Sequence, residues 1–222
     1  VTYDNINIEV SDWDANNEGA LTISGGWDSC SDASASGRTV LDGLGGWSIL
    51  EVNSPAETSL VTLRNLELTG ALWGLRVYDD SEVQLESTHF RLNESALVAR
   101  GGAQVTLDAA TLLSDNGSSM TDGAGVNCAG AGTKVTLAGV VSGNDEADDG
   151  GGVYARDGCV VRLEAGARIE NNRAGRGGGI ALSGAASLEG GGAGEVETVI
   201  SGNTAADVGG GIWMSGAGPL SL

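Results

Sequence analysis

Lysine, histidine, phenylalanine and proline are nearly missing from this 222-residue chain, which holds one His, one Phe and two Pro, and a single Lys at position 134. Each shortage excludes something. Eleven bases against thirty acids give a formal charge of −19, and a surface so acidic repels phosphate backbones, so nucleic acid is not an expected partner. The lone His89 has no second histidine or nucleophile beside it, so it specifies no acid–base pair. With one phenylalanine, any interior must be narrow and aliphatic. No apolar run is long enough to span a membrane, so direct insertion by this chain is not expected. Helical patterning is missing too: apolar residues never keep a 3.6-residue period for three turns, and 38 glycines are spread through every segment.

What is present is repetition. Five times an apolar residue, two spacers and an asparagine recur, at Phe90 to Asn93, Leu113 to Asn116, Val141 to Asn144, Ile169 to Asn172 and Ile200 to Asn203. After each of the last four comes a glycine cluster ending in an aliphatic residue: Gly123 to Val126, Gly150 to Val153, Gly177 to Ile180 and Gly209 to Ile212. Between them runs a Val-x-Leu triplet, first at Val61 to Leu63, whose successive leucines lie 22, 22, 30, 26, 25 and 34 residues apart. A fixed order of unlike elements at such a period means one supersecondary unit stacked many times.

The spacing is too irregular for a helical repeat and suits short strands joined by elastic loops. Segments such as Val153-Tyr-Ala155 and Ile180-Ala-Leu182 alternate in, out, in. Three such strands per repeat fit one closed arrangement, a parallel β-solenoid in which every strand pairs with its copy one coil above and below. The expected fold is therefore all-β: a single-stranded parallel β-helix with three short strands per coil and about seven to eight coils. At roughly 4.8 Å per coil the rod would be on the order of 35 Å long. Asparagine amides donate and accept and the residue tolerates left-handed angles, so the asparagines are expected to stack at one corner, pointing inward. That orientation argues against glycosylation at the sequons Asn93-Glu-Ser95 and Asn116-Gly-Ser118. The glycines are expected at the next corner, turning the backbone and letting coils approach.

Residues 1–46 lack the asparagine ladder and read as an N-terminal cap with the first coils, while 47–222 carry the repeats. The chain stops within Pro219-Leu-Ser-Leu222, inside another triplet unit, so the helix is expected to continue beyond residue 222. Three cysteines, Cys30, Cys128 and Cys159, leave at least one thiol unpaired or pairing elsewhere; Cys128, two after the inward Val126, reads as a small buried filler.

The asparagine and glycine pair resembles the repeat of polymorphic outer membrane proteins and related bacterial surface proteins of the right-handed parallel β-helix, pectate-lyase-like superfamily. The entry Ser24-Gly-Gly-Trp-Asp28, then Thr39-Val-Leu-Asp-Gly43, and Leu63-Arg-Asn-Leu-Glu-Leu-Thr-Gly70 after it, is similar to how such helices begin. The resemblance implies a right-handed coil and a secreted or cell-surface passenger that acts in adhesion or display, with a host-cell or matrix glycan or protein as partner. Others of the superfamily cleave acidic polysaccharides, so a lyase or glycoside hydrolase is the alternative.

Chemistry is sparse. A lyase needs a calcium-holding carboxylate cluster and an arginine or lysine base on one face, and a hydrolase needs paired acids. Asp79 and Asp80 near Arg76, and Asp145, Glu146, Asp148 and Asp149, read as solvated loops. Calcium is the one cofactor suggested, through the alternating oxygen ligands Asp12, Asp14, Asn16 and Glu18, although no glycine stands at the sixth position and no acid at the twelfth. The remaining candidates are outward aromatics. The residue after each cluster's aliphatic should lie on one outer face, where Tyr154 and Trp213 stand, with Tyr78 at the equivalent place after Val77. Such rings stack on sugars or anchor partners.

Overall fold

The computed structural model of the chain describes residues 2–4, 8–11, 20–26, 37–53, 60–117, 123–146, 148–190 and 196–222. These form a right-handed parallel β-helix of three eight-stranded sheets. Eight coils each contribute one strand to each sheet. In the second coil, for example, Thr39–Asp42 enters the first sheet, Ser48–Asn53 the second and Leu60–Arg64 the third. The strands Thr2–Asp4, Ile8–Ser11 and Leu21–Ser24 pair in parallel with those three, so the N-terminal region is the first coil of the same stack.

Register explains the repeat. The Val-x-Leu triplets are the third sheet, where Val61, Val83, Val105, Val135 and Val161 stack in one row and Leu63, Leu85, Leu107, Leu137 and Leu163 in the next. All ten are almost fully buried. The first sheet contributes the row Leu68, Phe90, Leu113, Val141 and Ile169, and the second the row Leu75, Leu97, Val126, Val153 and Ile180. Each such residue, buried, favours the folded state by roughly 1.5–3 kcal/mol.

The asparagines form a continuous amide ladder along the corner between the first and second sheets. Asn93 Nδ2 donates to Asn116 Oδ1 at 3.1 Å, Asn116 to Asn144 at 3.0 Å, Asn144 to Asn172 at 2.9 Å and Asn172 to Asn203 at 3.0 Å. The other Nδ2 hydrogen bonds a main-chain carbonyl one coil back, as Asn144 does to Leu113 O at 3.0 Å. Each Oδ1 also accepts the main-chain N–H of the preceding ladder residue, down to Ala71, whose N–H bonds Asn93 Oδ1 at 3.1 Å. Asn93 and Asn116 are buried, so neither sequon presents its amide to solvent. One expectation is corrected: the left-handed backbone falls not on the ladder asparagine but on the residue before it, at Leu92, Asp115, Gly143, Asn171 and Gly202. The asparagine is required for its amide, and its neighbour makes the turn.

The three glycines of a cluster differ in role. Gly150 takes φ +69°, as its counterparts Gly123, Gly177 and Gly209 take +75°, +61° and +70°. Gly151 has no left-handed φ; a Cβ there would strike Arg173 O on the next coil. A Cβ at Gly152 would lie 2.5 Å from Gly179 O and 2.9 Å from the Asn172 amide. Only the first glycine serves the turn; the other two permit close approach.

Cys128 and Cys159 are joined by a disulfide, both fully buried, across 31 residues. Cys128 stacks between Ala99 and Ala155, so it is a core position as expected, but its sulfur pairs with the turn residue opening the next coil's third strand. Cys30 lies outside the described residues. A tryptic map without reductant is expected to return the peptides holding Cys128 and Cys159 as one linked species. Cys159→Ser is expected to cost about 3 kcal/mol, from the loop entropy restored to the unfolded chain. Recovery of the two peptides unlinked would contradict the bridge.

Candidate functional site

Corner length decides where the surface opens. From ladder residue to second-sheet strand the chain takes a short step in the third and fourth coils, Ala71 to Trp73 and Asn93 to Ser95. In later coils it takes a long one, as from Asn144 to Val153. The long corners stack on each other: Arg173–Arg176 pairs in parallel with Thr204–Val208, and Asp145 and Asp149 bridge to Arg173 and Arg176. This minor ladder corrects the reading of the acidic loop as merely solvated. Asp145 and Asp148 are exposed, but Glu146 and Asp149 are buried, and Arg176 binds Asp149 through two hydrogen bonds of 2.7 and 2.8 Å. Asp79 and Asp80 are exposed in a turn, as expected.

Where the short corners lie there is a cleft of about 550 Å³. Its lining includes Trp47, Ala71, Leu72, Leu92, Glu94 and Asp115. The turn before the second coil's strand sets one wall. Leu44 at φ +47° donates its N–H to Asp42 Oδ1, and Gly46 N–H bonds Gly43 O. This tight turn throws out Leu44, 62% exposed, and Trp47, 74% exposed. Trp47 packs against Trp73, the rings tilted by 39° with centroids 5.6 Å apart. Glu94, in the lining, donates its N–H to Ala71 O, and its Oε2 is buried with no hydrogen-bond partner among the described residues.

The aromatics named from sequence fall in three different settings. Tyr154 and Trp213 do share one outward row, which runs Glu51, Arg76, Val98, Asn127, Tyr154, Ala181, Trp213. Tyr78 does not, because its strand carries two inward aliphatics, Leu75 and Val77, and Leu75 is the one in register with Val153. Arg76 therefore holds the place assigned to Tyr78, which sits one outward row further along. Tyr154 is only 8% exposed, its hydroxyl 3.3 Å from Ser183 Oγ, so it offers no open ring face. Trp213 is half-buried under Arg176, whose guanidinium carbon lies 4.4 Å from the ring centroid. Tyr78 receives a hydrogen bond from Arg76, which lies 4.4 Å over Trp73 and 4.9 Å over Tyr78 while binding Glu51 at 2.9 Å. The calcium candidates Asp12, Asp14, Asn16 and Glu18 lie outside the described residues.

Trp47 and Trp73 were missed because no repeat motif reaches them, yet a signal existed. Asn93 is the one repeat asparagine followed by no glycine cluster, which marks a shortened corner. Elsewhere four more arginines are paired with acids: Arg64 with Glu86, Arg91 with Glu67, Arg162 with Glu164 and Arg168 with Glu170. Among the described residues no group of three or more His, Cys, Asp or Glu comes together to hold a metal ion. His89 is half-buried, and burial, with Arg38 next, lowers its pKa below the usual 6.5, so it stays neutral near pH 7. None of the described residues forms a helix long and apolar enough to cross a membrane. No protein family, curated protein or solved structure matched the chain in comparison.

Proposed function

We propose that this chain is a non-catalytic, extracellular adhesion or display scaffold of a bacterial surface or secreted protein, related to the pectate-lyase-like β-helices, and that it contacts carbohydrate. The observation that carries the carbohydrate reading is Trp47: a large, mostly exposed ring supported by the tilted ring of Trp73, beside a cleft large enough for a short saccharide. A buried disulfide suits an oxidising compartment, and the acidic surface suits a soluble exposed domain. The lyase or hydrolase alternative is disfavoured because a surface arginine near acids is here tied to them: Arg76 to Glu51, Arg173 to Asp145, Arg176 to Asp149.

On a glycan array the chain is expected to select a set of saccharides, and Trp47→Ala to weaken their binding about tenfold or more, since a stacked aromatic anchor is a hot spot. Tyr154→Phe, at a covered ring, should leave binding unchanged. Equal binding by Trp47→Ala would remove the assignment, and cleavage of a polysaccharide by the purified chain would overturn the non-catalytic reading.

A further inference from the structure

The chain twice builds the same trio of indole, cation and carboxylate. Arg76 lies over Trp73 and binds Glu51; Arg176 lies over Trp213 and binds Asp149. In each, a cation sits on an aromatic face with an acid at its edge, an arrangement that satisfies the acid and adds ring attraction. Trp47 is a third indole with acids beside it and no base. Glu94 forms no ion pair among the described residues, its Oε2 is buried without a donor, and Asp115 is exposed at the rim. Among the described residues no Lys, Arg or His lines the cleft. A buried carboxylate oxygen without a donor is costly, and its cost is recovered when a ligand brings one.

From this juxtaposition we infer that the cleft binds a saccharide carrying a free, protonated amine, its ammonium group on the Glu94 carboxylate and its apolar ring face on Trp47. The inference rests on the carbohydrate-contact reading and narrows it. The carboxylates disfavour uronic acids by like charge, and a neutral saccharide leaves Glu94 without its ion pair. A sugar is favoured over a basic peptide because the apolar lining of Trp47, Leu72 and Leu92 extends along a cleft of about 550 Å³, room for several rings. A single lysine side chain would leave most of it empty.

Calorimetry at about pH 6, where a primary amine is protonated, separates the possibilities. The probes are a fully deacetylated glucosamine tetramer, its N-acetylated counterpart, a galacturonic acid trimer and a lysine-rich peptide. The deacetylated tetramer is expected to bind about tenfold tighter than the acetylated one, with an advantage that shrinks as salt rises. Glu94→Gln should abolish that difference while leaving the acetylated tetramer unaffected, and Trp47→Ala should weaken both. Equal affinity for the two tetramers, or a preference that survives Glu94→Gln, would overturn the amine assignment and leave the carbohydrate reading standing. Tighter binding of the peptide than of either tetramer would also overturn it, giving the cleft to a protein partner. If no saccharide binds, both readings fall.

Discussion

Gly178→Val is expected to lower the melting temperature by about 10 °C, reflecting a loss of about 4 kcal/mol, at the large end for one substitution. The warrant is geometric. A Cβ at Gly178 would overlap the carbonyl oxygen of Thr204 and approach its main-chain nitrogen at 2.8 Å, and both belong to the minor ladder. Backbone has no rotamer to move, so relief requires parting the seventh and eighth coils, whose hydrogen bonds Gly178 N–H to Gly209 O and Thr204 N–H to Asn172 O hold that spacing. Overpacking that displaces only side chains costs about 1–3 kcal/mol; this one displaces a coil. Gly37→Ala supplies the comparison, since no atom lies within 4 Å of the Cβ it would add and its φ is ordinary. It should stay within about 0.5 kcal/mol of the parent. Thermal denaturation of the pair checks the claim, and a Gly178→Val protein that melts with the parent would contradict the close-approach role.

Asn144→Ala comes next. Asn144 Oδ1 receives both the main-chain N–H and the side-chain Nδ2 of Asn116, and its own Nδ2 serves Leu113 O and Asn172 Oδ1. Removing the amide leaves the buried Asn116 N–H without its partner and takes a donor from Leu113 O and from Asn172 Oδ1, while Asn116 Nδ2 keeps Phe90 O and Ser114 O. An orphaned buried group costs about 1–3 kcal/mol, so a loss of about 3 kcal/mol is expected. Asn203→Ala, half-buried and serving only the seventh coil, should cost less than half as much. Hydrogen exchange gives a readout that general destabilisation does not. In Asn144→Ala the Asn116 amide should lose protection far more than the neighbouring strand amides of Leu112–Ser114. Uniform loss across the coil would argue that the ladder acts only as packing.

The stack was legible in the sequence because each coil reuses its register. The Val-x-Leu rows, the inward aliphatics and the asparagine ladder are periodic, and periodicity is what a one-dimensional string displays. What broke the period was harder to place. Tyr78 was misassigned by one outward row because Leu75 and Val77 are both inward aliphatics, and only strand pairing shows which aligns with Val153. Asp149 looked like a surface acid because Arg176, its partner, stands a full coil away in a loop of different length. The disulfide joins a strand position to a turn position, which do not share a place in the repeat, so no alignment of repeats brings Cys128 to Cys159. The cleft arises where the pattern is shortest, at Ala71 and Asn93, and its principal residue, Trp47, belongs to a turn that occurs once. Repetition marks the scaffold, and its exceptions mark the surface.

A wound rod also has mechanics. Pulled from its ends, such a stack unwinds coil by coil, and each released coil lengthens the chain by its full extended span. The Cys128–Cys159 link, lying between the fifth and sixth coils, holds 31 residues out of that extension, about 100 Å of contour that force alone does not free. Unwinding from the C-terminal side therefore passes its load through the bridge from Cys159 straight to Cys128, and the residues between are not drawn out. The coils that carry Trp47 and Glu94 lie on the N-terminal side of that shortcut.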